Sequence, residues 1–279
     1  MKLNDKELER IIITAFKEDI GNGDITTTLI VGKNQKAKAF LLAKEDGIIS
    51  GLPAAKKVFK KLDKNIFWKN IVKEGTHVKA GTRIAEVKGT LHALLTGERT
   101  ALNLLQRCSG IATTTTQFVE IAKGTNAKIL DTRKTAPGLR LLDKYAVKTG
   151  GGTNHRIGLY DMVLIKDNHI KAAGSITEAV AKVKRGLKKK IKIEVETTNL
   201  DEVREAVNSR VDIIMFDNMS VKMMKAAVKI INGKIKTEAS GNINLKTLRA
   251  IAKTGVDYIS VGALTHSVKA LDISMKIEN

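Results

Sequence analysis

Six places in the second half of the chain set polar or small residues at the end of a short apolar run. They are Asp131-Thr132-Arg133-Lys134, Lys166-Asp167-Asn168-His169, Glu196, Asp217-Asn218, Ser240-Gly241-Asn242 and Gly262-Ala263. Loops are polar in any protein, so each taken alone says little; six in succession describe one chemical surface. Arg133, Lys134, His155, Arg156 and Lys166 are cations suited to carboxylates and phosphates, and arginine's planar fork can grip a carboxylate with two hydrogen bonds. Glu196 and Asp217 are acids suited to sugar hydroxyls or to a hard cation such as Mg²⁺. Ser240, Gly241 and Gly262 are small enough for backbone N–H groups to approach a phosphate. A substrate with a carboxylate, a ribose and phosphates would use all three sets.

The elements that must position these residues follow from the apolar pattern. Short strands are expected at Lys128–Leu130, Met162–Ile165, Ile191–Val195, Asp212–Phe216, Ile235–Thr237 and Tyr258–Val261. Helical patterns separate the later ones, at Ile176–Leu187, Leu200–Val207, Val221–Ile231 and Leu245–Lys253, with Asn199 and Asn244 placed as N-caps and Gly233 and Gly255 as C-caps. This is the rhythm of successive βα units, in which functional groups sit at the C-terminal ends of the strands. About six units fall short of a complete eight-stranded barrel.

The first third reads differently. Leu8–Phe16 has helical spacing, Gly21 to Thr27 reads as a turn, and Ala37–Ala43 as a strand. Ile71 to Val87 alternates around Gly75 and Gly81 as paired antiparallel strands do, like the hammerhead of biotinyl carrier domains, though without the lysine that such a carrier modifies. The expected architecture is an N-terminal α/β sandwich over residues 1–107, with 267–279 packing back on it. An incomplete, TIM-like α/β barrel of six to seven parallel strands follows over 108–266.

Other features carry less. Gly150-Gly151-Gly152 lacks the Gly-Lys-Ser/Thr ending of a P-loop, which leaves a flexible hinge or a site loop as readings. His77 and His92 read as surface or packing residues, and no two histidines stand at the helical spacing of a metal pair. Cys108, the single cysteine, beside the apolar Leu102–Leu105, reads as core; it excludes a disulfide scaffold and fits a reducing compartment. The N-terminal Met1 to Glu7 carries acids early and lacks a signal-peptide apolar stretch, and no apolar run is long enough for a membrane span, so a cytoplasmic location is expected.

Of 279 residues, 49 are Lys or Arg and 29 Asp or Glu, a formal charge of +20. Aromatic residues are only 4% and the lysines are scattered, unlike the basic, aromatic-studded surface of a nucleic-acid binder. The densest cluster, Lys188-Lys189-Lys190, is expected at a helix end. A field that attracts small polyanions accounts better for the excess.

Longer motifs sharpen this reading. Asp131-Thr132-Arg133-Lys134-Thr135-Ala136-Pro137-Gly138-Leu139-Arg140, Gly150 to Arg156, and Asp161 to His169 closely resemble the quinolinate phosphoribosyltransferase family. So do Gly23 to Thr27, Gly97 to Asn103, Ser109 to Thr113 and Ser260-Val261-Gly262-Ala263-Leu264-Thr265-His266-Ser267. The departures are small: Ala136 replaces the usual Thr, and Asn242 stands where a second Gly is common. The resemblance implies a pentosyltransferase that joins quinolinate to 5-phosphoribosyl 1-pyrophosphate, giving nicotinate mononucleotide, pyrophosphate and CO₂ with Mg²⁺, in de novo NAD synthesis. It implies a homodimer or a hexamer with sites shared between subunits, and no nucleic-acid or membrane partner.

By the same resemblance Arg133, His155 and Arg156 hold quinolinate, with Arg99 entering from the neighbouring chain. Lys134 and Lys166 face phosphates or the second carboxylate, and Glu196 and Asp217 face the ribose and metal, these four being the catalytic set. Ser240, Gly241 and Gly262 hold the 5-phosphate, with Thr132, Asn242, Val261, Ala263 and His266 as further substrate contacts. A relative acting on nicotinate or another pyridine carboxylate is an alternative, against which the number of cations argues. A basic barrel that binds nucleic acid or carries an acyl group is another, which would leave Glu196 and Asp217 without work.

Overall fold

A computed structural model describes residues 3–32 and 34–278; Met1, Lys2, Lys33 and Asn279 lie outside the described residues. The chain begins with α1 (Asp5–Asp19), α2 (Ile25–Ile30), β1 (Lys36–Ala43), β2 (Gly47–Ile48), α3 (Leu52–Leu62), β3 (Phe67–Asn70), β4 (His77–Val78), β5 (Arg83–Thr90) and α4 (Leu91–Ala122). It continues through β6 (Lys128–Leu130), α5 (Arg140–Thr149), β7 (Val163–Ile165), α6 (Asp167–Ala173), α7 (Ile176–Gly186), β8 (Ile193–Thr197), α8 (Leu200–Asn208) and β9 (Ile213–Asp217). The last elements are α9 (Val221–Ile231), β10 (Lys236–Ser240), α10 (Leu248–Ala252), β11 (Tyr258–Ser260), α11 (Ala263–His266) and β12 (Ile273–Glu278). Two compact units result: Met1–Thr116 with Thr135–Gly151 and Leu264–Asn279, and Gln117–Lys134 with Gly152–Ala263. The boundary expected at 107/108 falls within α4, a single helix of 32 residues.

The first unit holds an antiparallel sheet in the order β12-β1-β5-β3. The C-terminal strand β12 thus lies against β1. Of the paired strands expected within Ile71 to Val87, only Ile71 and Val72 bond back to Ile84 O; β5 takes β1 and β3 as neighbours, and β4 pairs with β2. Local alternation marked the strands but could not choose their partners. Gly21 to Thr27 is a turn only as far as Asp24, whose carboxylate accepts from Thr27 N at 2.9 Å and starts α2. Glu74 accepts from the first amides of α3, at Gly51 and Leu52. Burial raises the pKa of this carboxyl.

The second unit is built on six parallel strands in the order β6-β11-β10-β9-β8-β7. Leu130 of β6 also bridges Thr153 in parallel. Three strands run further than the apolar pattern suggested, to Thr197, Asp217 and Ser240. The backbone ladder continues under inward polar residues, which an apolar count cannot see. Val195, Ile214, Phe216, Ala239 and Ile259 are fully buried on the opposite face of this sheet. There α8 packs on β8 and β9.

Helix ends follow local chemistry. Asn199 caps α8 as expected. Asn244 instead accepts from Lys246 N and Thr247 N in a turn that precedes a shortened α10. Asn232, in the left-handed region at φ 48°, ends α9 just before Gly233. Helix α7 stops at Gly186, so Lys188 to Lys190 are exposed residues beyond it, and its own last turn carries Lys184 and Arg185. His77 is exposed and His92 half-buried. Cys108 is buried, which pushes its thiol pKa up and leaves it an inert core residue.

Within the first unit, Asp143 of α5 has no exposed surface and receives both arms of the Arg107 fork, at 2.8 Å each. Its Oδ2 also accepts from Ala136 N at 3.3 Å, fastening the segment that leads into α5. Removing one partner of a buried pair strands the other charge. Arg107→Ala should therefore destabilise the protein by about 3–5 kcal/mol in urea unfolding. A loss below about 1 kcal/mol would place this pair among those that solvent can replace.

Candidate active site

Strand parity builds the centre of the second unit. Glu194 and Glu196 of β8, Met215 and Asp217 of β9, Glu238 and Ser240 of β10, and Ser260 of β11 are in phase, so they share one face of the sheet. The residues nearest the strand ends, Glu196, Asp217 and Ser240, are half-buried at the rim. One step deeper, Glu194 and Glu238 are fully buried.

His155 reaches these deeper acids. Its Nε2 is 3.1 Å from Glu194 Oε2 and 3.5 Å from Glu238 Oε2. Glu238 Oε1 accepts from Ser260 Oγ at 2.5 Å. Burial disfavours a charged ring, yet the two carboxylates more than offset it and raise the pKa of His155 to about 10. Burial, and then the charge of Glu238, raise Glu194 to about 7. The cluster therefore keeps a proton that belongs to the three groups jointly. Arg156 N–H lies 2.8 Å from Nδ1.

The loop after β6 supplies the first cations. Asp131, fully buried, accepts from His155 N at 2.8 Å and from Asn154 Nδ2 at 2.6 Å, joining the two segments that carry Arg133 and Arg156. Thr132 Oγ1 accepts from Lys134 N, which turns the loop so that Arg133 is half-buried and Lys134 exposed. Arg156 is 9% exposed and donates through Nη1 to Met162 O at 3.1 Å. Burial, followed by the charge of Arg133, lowers its pKa. The charges of Glu194 and Asp161 act in the opposite sense. Lys166 stands just before α6, with Nζ 3.6 Å from Glu196 Oε2. Burial raises the pKa of Glu196; Lys166 opposes that and the charge of Asp217 adds to it.

The other rim loops are shaped by asparagines. Asn218 and Asn242 both adopt positive φ, 53° and 51°. Asn242 Nδ2 donates to Asn218 Oδ1 at 3.0 Å, Asn218 Nδ2 to Asp217 Oδ2 at 3.0 Å, and Asn218 N to Ser240 O at 2.9 Å. Between them Gly241 sits at φ 95°, where an added Cβ would lie 2.2 Å from Asn218 Oδ1. Val261 is buried and its N–H donates to Leu130 O, while Gly262 and Ala263 are half-buried after β11.

The second unit thus brings together Thr132, Arg133, Lys134, His155, Arg156, Lys166, Glu196, Asp217, Ser240, Gly241, Asn242, Val261, Gly262 and Ala263. Arg99, exposed on α4, and His266, exposed with a ring nitrogen 2.7 Å from Ser267 Oγ, belong to the first unit. So does Gly150, where an added Cβ would lie 2.4 Å from Ala112 O on α4. It is a packing glycine there, and the hinge reading does not apply to it. Sequence reading passed over Glu194 and Glu238. The two-residue spacing of Glu194 to Glu196 and of Glu238 to Ser240 was the available signal. Among the described residues His155, Glu194 and Glu238 are the group whose ligand atoms lie close enough for a metal, within 4.8 Å of one another.

Family models for quinolinate phosphoribosyl transferase match this chain, the N-terminal domain over residues 24–109 and the C-terminal domain over 111–276. The "Probable nicotinate-nucleotide pyrophosphorylase (carboxylating)" of Bacillus subtilis is 48% identical over 275 residues, covering 99% of this chain and 95% of that protein. The chloroplastic nicotinate-nucleotide pyrophosphorylase (carboxylating) of Arabidopsis thaliana is 46% identical over 291 residues, covering 98% and 83%. The solved nicotinate-nucleotide pyrophosphorylase of Francisella tularensis superposes with a TM-score of 0.95 at 45% identity, covering 99% of this chain and 98% of that one.

Gly241→Ala would force the loop off Asn218. We expect affinity for ribose 5-phosphate to fall at least about tenfold by calorimetry, about 1.4 kcal/mol, with the fold retained. Unchanged affinity would remove this loop from phosphate binding.

Proposed function

The chain belongs to the quinolinate phosphoribosyltransferase family, and we propose that it transfers the phosphoribosyl group of 5-phosphoribosyl 1-pyrophosphate to quinolinate. The products are nicotinate mononucleotide, pyrophosphate and CO₂, a step of de novo NAD synthesis. The observation that carries the reading is the buried Asp131, which joins the two segments that carry Arg133 and Arg156, a pair of planar forks suited to a dicarboxylate such as quinolinate. Each charge-assisted hydrogen bond contributes roughly 1.5–3 kcal/mol.

The division of labour follows the rim. Arg133 and Arg156 hold the quinolinate carboxylates, and Lys134 and Lys166 add charge for the second carboxylate and the pyrophosphate. Backbone amides of Ser240 to Asn242 and of Gly262 and Ala263 hold the 5-phosphate, whereas the Val261 amide is taken by Leu130 O. Glu196 and Asp217 hold the ribose hydroxyls and favour the positive charge that builds on the sugar ring. No protein nucleophile is required: the pyridine nitrogen attacks the ribose carbon as pyrophosphate leaves, and catalysis is positioning with electrostatic stabilisation. The positive charge of the resulting ring nitrogen then stabilises the carbanion left at C2 when the 2-carboxylate departs as CO₂, and a proton from water at that carbon completes nicotinate mononucleotide.

The donor set fits Mg²⁺. Glu196 Oε2 is buried without a hydrogen-bond partner, and Glu196 and Asp217 offer the hard oxygen ligands that this ion takes. Bound there or through the substrate, it supplies charge neutralisation at the leaving pyrophosphate. A homodimer or a hexamer, with Arg99 completing a neighbour's site, is supported by the exposed apolar side chains of α2. Ile25, Leu29 and Ile30 are each more than three-quarters exposed. The cytoplasm is the proposed location; no described helix is long and apolar enough to cross a membrane.

Quinolinate with the ribosyl donor should release pyrophosphate and CO₂ in equal amounts, and Arg156→Ala should weaken quinolinate far more than donor binding. Pyrophosphate without CO₂, or equal loss of both affinities, would contradict the assignment. Subunit mixing tests sharing: Arg99→Ala and Arg133→Ala chains, each inactive alone, should recover activity towards half per heterodimer. Confirmed heterodimers without recovery would refute it.

A further inference from the structure

We infer that Asn218 is a positioning residue whose side-chain amide ties Asp217 to the loop Ser240–Asn242, so that the ribose and phosphate subsites are built as one unit. This rests on the functional reading above, which gives those two subsites to one ribosyl donor. Asp217 ends β9 and lies opposite Ser240, the last residue of β10. One residue on, Asn218 N–H donates to Ser240 O at 2.9 Å, and the chain leaves the strand at φ 53°. The side chain continues the link where the backbone ladder stops. Its Nδ2 donates to Asp217 Oδ2 at 3.0 Å, and its Oδ1 accepts from Asn242 Nδ2 at 3.0 Å.

The direction of this link is set from one end. An ionised carboxylate only accepts hydrogen bonds, so Asn218 turns its NH₂ to Asp217 and its oxygen to the loop. That oxygen in turn selects the NH₂ of Asn242. Neither amide can rotate by half a turn without setting like groups against each other. Gly241 lets the loop come this close, since at φ 95° an added Cβ would lie 2.2 Å from Asn218 Oδ1. A ribosyl donor carries its 5-phosphate and its ring hydroxyls at a spacing limited by its own bonds. The loop that takes one and the acid that takes the other must therefore hold a matching spacing. A slip of about 1 Å at the reacting carbon can cost on the order of 10²-fold in rate.

Glycine keeps the left-handed backbone and removes the amide, so Asn218→Gly separates the link from the turn. By calorimetry we expect this variant to lose about tenfold or more in affinity for ribose 5-phosphate, and to bind quinolinate within about threefold of the parent. At saturating donor its turnover should also fall about tenfold or more, because the sugar is held out of register. Unchanged affinity for ribose 5-phosphate, equal loss of both ligands, or full turnover at saturation would each overturn the inference. Asn242→Gly breaks only the far half of the link. The affinity it loses for ribose 5-phosphate in the parent should not be lost again in an Asn218→Gly background, because the two residues act along one path. The same loss in both backgrounds would mean that Asn242 acts without Asn218, and overturns the link.

A crystal structure of the unaltered protein with ribose 5-phosphate decides the matter even if a variant fails to fold. The expected result keeps the Asn218 amide between Asp217 and Asn242, with the sugar phosphate on the loop. A ligand oxygen within about 3.5 Å of that amide, in place of either partner, overturns the inference. Failure of the unaltered protein to bind ribose 5-phosphate at all would sink the functional reading and this inference together. Normal binding that Asn218→Gly leaves untouched sinks the inference alone.

Discussion

Glu194 and Glu238 are shut away from water on the inward face of the parallel sheet, where barrels of this kind usually carry branched apolar side chains. A buried carboxylate left unneutralised costs several kcal/mol, so the second unit closes only by bringing His155 to both of them. That requirement orders much else. To deliver the ring, the segment after Gly152 must run beside β6, where Thr153 bridges Leu130 and Asp131 takes the His155 and Asn154 donors. Arg133 and Arg156 then emerge on the same rim.

Charge is layered along the strands. The deep layer sets two acids against one histidine. The layer above pairs Glu196 with Lys166 and sets Asp217 beside Asn218. The loops above that layer carry Arg133, Lys134 and Arg156, cations that suit an anionic substrate and tie the +20 charge to the site without any need for a nucleic acid. Specific binding comes from the fixed guanidinium planes, and long-range attraction from the scattered lysines.

The first unit meets a similar demand with a different device. Asp143 is neutralised by an arginine fork, and the same carboxylate fastens the backbone at Ala136. Glu74 takes the amides that open α3, where a negative charge meets the positive end of the helix. In both units a buried acid serves as the junction between segments far apart in sequence, and a change at one junction loosens several loops together.

The sequence by itself determined the βα rhythm, because apolar runs and helix caps are local signals. It also determined the chemical set at the rim, because residue type fixes what a side chain can bind. Arg133, Lys166, Glu196, Asp217 and Ser240 were legible in that way. Strand partners in the first unit were not, since Arg83–Thr90 alternates equally well against any neighbour and only the folded sheet selects β1 and β3. Nor was the role of His155. As a sequence it is one more cation beside Arg156; in the structure it faces inward to two glutamates that lie 39 and 83 residues further on. Tertiary structure decided this, because only desolvation makes two distant acids need the same proton, and desolvation exists only once the strands have closed around them.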